Sequence, residues 1–129
     1  MALLRWFFLL IWALPVLAMA QWVKVDTTDP AVIYADPVSR QIQGHQVKMW
    51  ELVDYRKPQV FAGASFRSSR VLREFDCQKR EMRTLAFTIF GGPMAQGEVI
   101  HSHRVDHANW ALVEPYSVGE ASFKLACQR

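Results

Sequence analysis

Cysteine is scarce in this 129-residue chain: Cys77 and Cys127 are the two present. They form no C-x2-C pair, so the usual thiolate frame for zinc is absent from the sequence. A thiol nucleophile needs a lowered pKa and a base, and Cys77 has Lys79 and Arg80 close by but no histidine near it in sequence. The sequence also lacks a G-x-S-x-G elbow, an internal repeat and a low-complexity tract. Neither charge sign dominates: 15 Lys and Arg stand against 12 Asp and Glu, a formal net charge of +3. That balance keeps a protein soluble without the basic excess that a nucleic-acid partner calls for.

Long apolar runs are missing as well. The longest apolar run, Trp6 to Ala20, is 15 residues, against about 20 for a membrane-spanning helix. Arg5 precedes it and Ala18-Met19-Ala20 closes it, which is the layout of a secretory leader cut after Ala20. Residues 1–20 are therefore read as a signal peptide and residues 21–129 as one domain with a modest core. Gln21 stands where a lipoprotein leader would carry cysteine. The expected product is exported, periplasmic or secreted, not lipid-anchored, with no stable membrane span after cleavage. Loss of Arg5 with the leader leaves 14 Lys and Arg against 12 Asp and Glu. Export passes the chain through an oxidising compartment, where two cysteines suffice for one bridge. A Cys77–Cys127 disulfide is the first expectation, with a reactive thiol and a metal ligand as the alternatives. Closing a loop of about 50 residues would stabilise the fold by about 4 kcal/mol in the chain-entropy picture.

What the chain has in quantity is apolar–polar alternation, the mark of strands. The spacing predicts strands over 22–25, 31–35, 46–55, 66–77, 81–90, 98–105 and 109–113. Residues 36–45 read as a polar connection, with Gly44 suited to the positive φ of a tight turn. Residues 56–65 read as a long loop, because Pro58 and Gly63 interrupt a ladder, and residues 91–97 as another. Val47, Met49, Val53 and Tyr55 fall on one face of their strand, Trp50 and Leu52 on the other. Val71, Phe75 and Cys77 share a side, as do Leu85, Phe87 and Ile89. After Pro115 the period changes. Ser117 and Glu120 form a capping box, and Val118, Ala121 and Leu125 a helical stripe, with Phe123 and Cys127 one turn apart beside it. Gly119 weakens this first turn. The fold class is thus α+β: an antiparallel sheet of about six strands with a C-terminal helix tethered to one face by the disulfide.

Three groups of side chains invite a functional reading. In "HSHRVDH" (101–107), His101 and His103 point the same way on a strand. With Asp106 or His107 as a third ligand they could hold Zn2+ or Cu2+, although a half-exposed strand whose histidines face solvent or a subunit neighbour is the plainer reading. Arg67 and Arg73 share a strand face within a basic set that includes Arg70, Lys79, Arg80 and Arg83. Interspersed Glu74, Asp76 and Glu81 make a salt-bridged surface the plainer reading and an acidic partner the functional one. Trp50 and Trp110 are aromatic candidates for an interface or for the core.

Several segments together resemble the surface-adhesin protein E family of Gram-negative bacteria. They are "VKMWELVDYRKPQ" (47–59), "SFRSSRVLREFDCQKREMRTLAF" (65–87), "GEVIHS" (97–102) and "WALVEPYSVGEASFKLAC" (110–127). Both cysteines are kept within them. The resemblance implies a PAS-like antiparallel sheet with the helix tied to its concave side. It also implies a dimeric surface protein that binds host extracellular-matrix and serum proteins. The functional expectation is a non-enzymatic exported binding protein, with Arg67, Arg73, Trp50 and Trp110 as binding candidates, His101 and His103 as weak metal candidates, and no cofactor. The alternatives are a periplasmic ligand- or metal-sensing module and a structural partner in an envelope assembly.

Overall fold

The computed structural model describes residues 21–128, so the expected leader lies outside the described residues. Within them no helix is long and apolar enough to cross a membrane. Six strands follow one another in space in the order of the chain: β1 (Val23–Thr27), β2 (Ala31–Gln43), β3 (Gln46–Phe61), β4 (Ala64–Asp76), β5 (Glu81–Phe90) and β6 (Val99–Arg104). Every neighbouring pair is antiparallel. A short β7 (Ala111–Leu112) pairs with the start of β5, and helix α1 (Val118–Ala126) ends the fold. This is the expected sheet-plus-helix arrangement, weighted heavily towards sheet.

The strands run longer than alternation predicts, for a definable reason. Residues 36–45 are not a connection: β2 continues through them to Gln43, and the turn comes at Gly44, φ +60°. Likewise 56–61 belong to β3, and the long loop shrinks to a tight turn at Ala62 (φ 48°) and Gly63 (φ 80°). In each case the pattern is broken by an insertion inside the ladder. Asp36 pairs with Trp50 and Gln41 with Lys48, so four residues face one. Asp54 pairs with Ser68 and Gln59 with Phe66, again four against one. Pro37 and Pro58 sit in these two insertions, where no ladder donor is needed. The first insertion is held internally. The Asp36 carboxylate accepts the Val38 N–H at 3.1 Å, and Ser39 Oγ accepts the Trp50 N–H at 3.0 Å in place of a backbone carbonyl. β7 is correspondingly shorter than the predicted 109–113 strand.

The main core lies between α1 and one sheet face. Ala35, Val47, Met49 and Phe75 from the sheet meet Val113, Phe123 and Ala126, all buried. The Phe75 and Phe123 rings pack edge-to-face with centroids 6.3 Å apart, a geometry that adds about 1 kcal/mol to their burial. The buried helical stripe is Ser122, Phe123 and Ala126, not Val118, Ala121 and Leu125; these remain half-buried, with Leu125 against the margin of the core. In this orientation Gly119 lies against Met82. A Cβ at 119 would sit 2.8 Å from the Met82 Sδ, so the glycine that weakens the helix also lets it approach the sheet.

Both ends of α1 are fastened. At its start Ser117 Oγ accepts the Glu120 N–H at 3.1 Å, and Glu120 Oε1 accepts the Tyr116 N–H at 3.3 Å. Arg80 and Lys124 reach the same carboxylate at 3.1 and 3.4 Å. At its end the Arg40 guanidinium, carried out by the first insertion, donates to the Gln128 carbonyl at 2.6 Å and faces the Ala126 carbonyl at 3.5 Å. A cation there complements the negative end of the helix dipole. Cys77 and Cys127 are joined, with Cα atoms 5.7 Å apart and 50 residues between them in sequence.

Replacement of Cys127 by Ser is expected to lower the unfolding free energy by about 4 kcal/mol, read from urea denaturation of residues 21–129; an unchanged midpoint would refute the tie's structural weight. Glu120 supplies a pH test. The Tyr116 amide, foremost, outweighs the upward push of desolvation and, with Lys124 and Arg80, holds its carboxyl below the ordinary 4.5. A lowered folded-state pKa contributes stability above the unfolded value that disappears as pH falls through the folded one. Glu120→Gln should therefore melt below wild type at pH 7, and the two curves should converge under strong acid.

Candidate interaction surface

Cross-strand register sorts the side chains onto two faces. One carries Ala35, Val47, Met49 and Phe75 beneath α1, and further along the same face lie Glu51, Arg73, Phe87, Ile89, His101 and His103. The other carries Lys48, Trp50, Leu52, Arg70, Leu72, Ala86, Thr88, Ser102 and Arg104. α1 covers the first face only. The loop 91–97 closes one end of the second, where Ser68 Oγ donates to the Gly92 carbonyl and accepts the Ala95 N–H at 2.6 and 2.9 Å.

The four binding candidates are not brought together. Arg73 lies on the helix-bearing face, where its Nε donates to the buried Glu51 carboxylate at 2.7 Å and its Nη1 bonds to Thr84 Oγ1. Arg67 fills the second insertion, donating from Nε to the Tyr55 carbonyl at 3.1 Å. Trp50 lies half-buried on the open face beneath Arg70, whose guanidinium carbon is 4.5 Å from the ring centre. Trp110 is stacked by Arg83 at 4.3 Å, and Arg83 in turn holds the buried Glu74 at 2.6 Å. Two ion pairs with nearly dry carboxylates thus clamp the sheet, one on each face.

His101 and His103 do share a face, with rings 6.2 Å apart and nearly parallel at 14°. Phe61 from the β3–β4 tip stacks against His101 at 4.9 Å, and Phe87 approaches both histidines. Among the described residues no three His, Cys, Asp or Glu side chains converge on a metal position, so neither Asp106 nor His107 completes the pair.

A chain-ordered antiparallel sheet, a C-terminal helix on one face and a disulfide from helix end to β4 define a recognisable architecture, and the family model for surface-adhesin protein E matches residues 22–128. The chain belongs to the surface-adhesin protein E family. Its fold is similar to that of Haemophilus influenzae protein E. Against crystal form II of that protein the TM-score is 0.62 at 14% identity, covering 85% of this chain and 96% of the other. A second structure of it gives 0.61 at 14%, covering 84% and 92%. Protein E from non-typeable Haemophilus influenzae gives 0.59 at 14%, covering 84% and 85%. No curated protein matches the sequence. At this identity the likeness to solved structures concerns the fold alone.

Within this family fold the open face brings together residues that the sequence pattern did not connect, with Lys48 and Arg104 newly among them. Two depressions, of about 310 and 340 Å3, share Ala86 and Arg104 and so form one groove. Lys48, Arg70 and Arg104 line it, Leu72, Leu85 and Ala86 contribute apolar surface, and Thr88 and Ser102 meet by a 2.7 Å hydrogen bond beside it. Parity alone would place Lys48 with Trp50 and Arg70 with Leu72. Leu85 could not be placed that way: it is the extra residue of a β-bulge between the Leu72–Ala86 and Arg73–Thr84 pairs. It therefore lines the open groove with Leu72 instead of joining Phe87 and Ile89.

Removing one partner of a buried ion pair strands the other, at a typical cost of about 3 kcal/mol. Arg73→Ala should lose about that much in urea denaturation, whereas Arg70→Ala, an exposed cation over an aromatic ring, should lose less than about 1 kcal/mol. Equal losses would contradict the division between clamping and surface arginines.

Proposed function

We propose that the protein is an exported, non-enzymatic binding protein of the adhesin kind, recognising host extracellular-matrix or serum proteins through the open face of its sheet. The observation that carries this reading is the asymmetry of the sheet. One face is capped over Ala35, Val47, Met49 and Phe75 by a helix fastened covalently and at both ends, while the other carries no helix and presents aromatic, apolar and cationic side chains at its surface. A rigid scaffold of this kind lowers the ordering cost of association. Family membership points the same way.

We further infer export and self-association. Residues 1–20 act as a cleaved leader, and the product is periplasmic or secreted without a lipid anchor. The sheet is of the PAS-like kind, and the working form is a homodimer. Exposed Val60 on the β3–β4 hairpin and Val99 on the edge strand β6, 74% and 54% accessible, support self-association.

Capture of purified residues 21–129 on immobilised matrix and serum proteins, at physiological salt, tests the proposal. Saturable binding to at least one of them is expected. Absence of binding to all of them removes the adhesin reading.

A further inference from the structure

We propose that the groove on the open face, between Lys48 and Arg104, binds an acidic peptide segment of a protein partner in which apolar residues separate the carboxylates. This rests on the reading of the chain as a binding protein and specifies the chemistry of what it binds.

Charge is the first ground. Neither depression of the groove has an Asp or Glu in its lining, although 12 such residues occur in the chain. Among the described residues Lys48, Arg70 and Arg104 enter no ion pair, whereas Arg73, Arg80, Arg83 and Lys124 all do. Glu74, opposite Lys48 in register, is buried and held by Arg83; Asp54 accepts the Met94 N–H at 3.1 Å. Of the other carboxylates that register places on this face, Asp36 accepts the Val38 N–H, Asp76 accepts the Gln78 and Lys79 N–H groups, and Glu81 stands at the far start of β5, outside the groove lining. A surface that settles its acids elsewhere and leaves three cations around one groove is complementary to negative charge.

The floor decides between acidic partners. Leu72, Leu85 and Ala86 lie between the cations, and Trp50 lies under Arg70. A sulfated polysaccharide would find charge there but nothing for the apolar floor. A peptide with Leu or Phe between its Glu residues matches both, since side chains in an extended segment alternate in direction. Register sets Trp50, Leu72, Ala86 and Arg104 in one row across β3 to β6. Three strand spacings make that row about 14 Å, the length of roughly four or five extended residues. Such short recognition is modest in affinity and sensitive to salt.

Fluorescence anisotropy with three labelled probes tests the groove: an eight-residue peptide alternating Glu and Leu, its Lys–Leu counterpart, and a heparin oligosaccharide. The Glu–Leu peptide is expected to bind most tightly and to weaken as NaCl rises from 50 to 500 mM, by analogy with other screened contacts of about three charges. The triple variant K48A/R70A/R104A should weaken it at least about tenfold, while Lys124→Ala leaves it unchanged. Should the triple variant fail to fold, Arg104→Gln on the exposed edge strand is the deciding change, with an expected loss of about threefold or more. No binding by wild type, equal binding of both peptides, preference for heparin, or undiminished binding by the variants each overturns the assignment. Matrix- or serum-protein binding that survives the triple variant would remove the groove and leave the adhesin reading standing. Peptide binding without any matrix- or serum-protein binding would do the reverse.

Discussion

A nine-residue helix does not persist alone in water, and α1 contributes most of one wall of the core in this fold. Its position depends on the bond between Cys77, just past the end of β4, and Cys127, just past the end of the helix. With that bond made, Phe123 is held against Phe75 and Ala126 is buried in the core that includes Ala35 and Met49. Noncovalent contacts then set the angle: the Gly119–Met82 approach at one end and Arg40 on the terminal carbonyls at the other. A domain of about a hundred residues has a net stability of only about 5–15 kcal/mol, so one closed loop and one seated helix are a large part of what keeps it folded.

Seating the helix on one face settles what the other face can do. The Arg73–Glu51 and Arg83–Glu74 pairs sit on opposite faces of the same three-strand region and tie β3 to β4 and β4 to β5. Their acids are almost dry, so each arginine is committed to the scaffold. Arg70 and Arg104, in the same sheet, have no such commitment and face solvent. The division between structural and available cations follows from which carboxylates are buried, not from the number of arginines in a segment.

Much of this was legible in the residues. Alternation located the strands, the capping box at Ser117 and Glu120 located the helix, and a pair of cysteines behind an expected secretory leader pointed to the staple. The failures share a cause. Period-two reading assumes one residue opposite one residue. The ladder departs from that at 37–40, at 55–58 and at Leu85, where extra residues are absorbed and the chain goes on pairing. Proline at 37 and 58 made continuing strands look like loops, and the bulge at Leu85 sent that side chain to the opposite face. Parity expected Arg67 and Arg73 to share a face. What parity could not reveal was that the Glu51 carboxylate and the Tyr55 carbonyl occupy their guanidinium groups.

The central claim is that oxidation ties the end of α1 to the end of β4 and thereby seats the helix on one sheet face, leaving the other without it. Proteolysis of protein purified from the periplasm or medium, alkylated without reductant and analysed by mass spectrometry, tests it most directly. The account predicts one crosslinked peptide pair joining Cys77 to Cys127 within a single chain and no alkylated thiol at either position. Two alkylated cysteines, or a bridge between different chains, would contradict it.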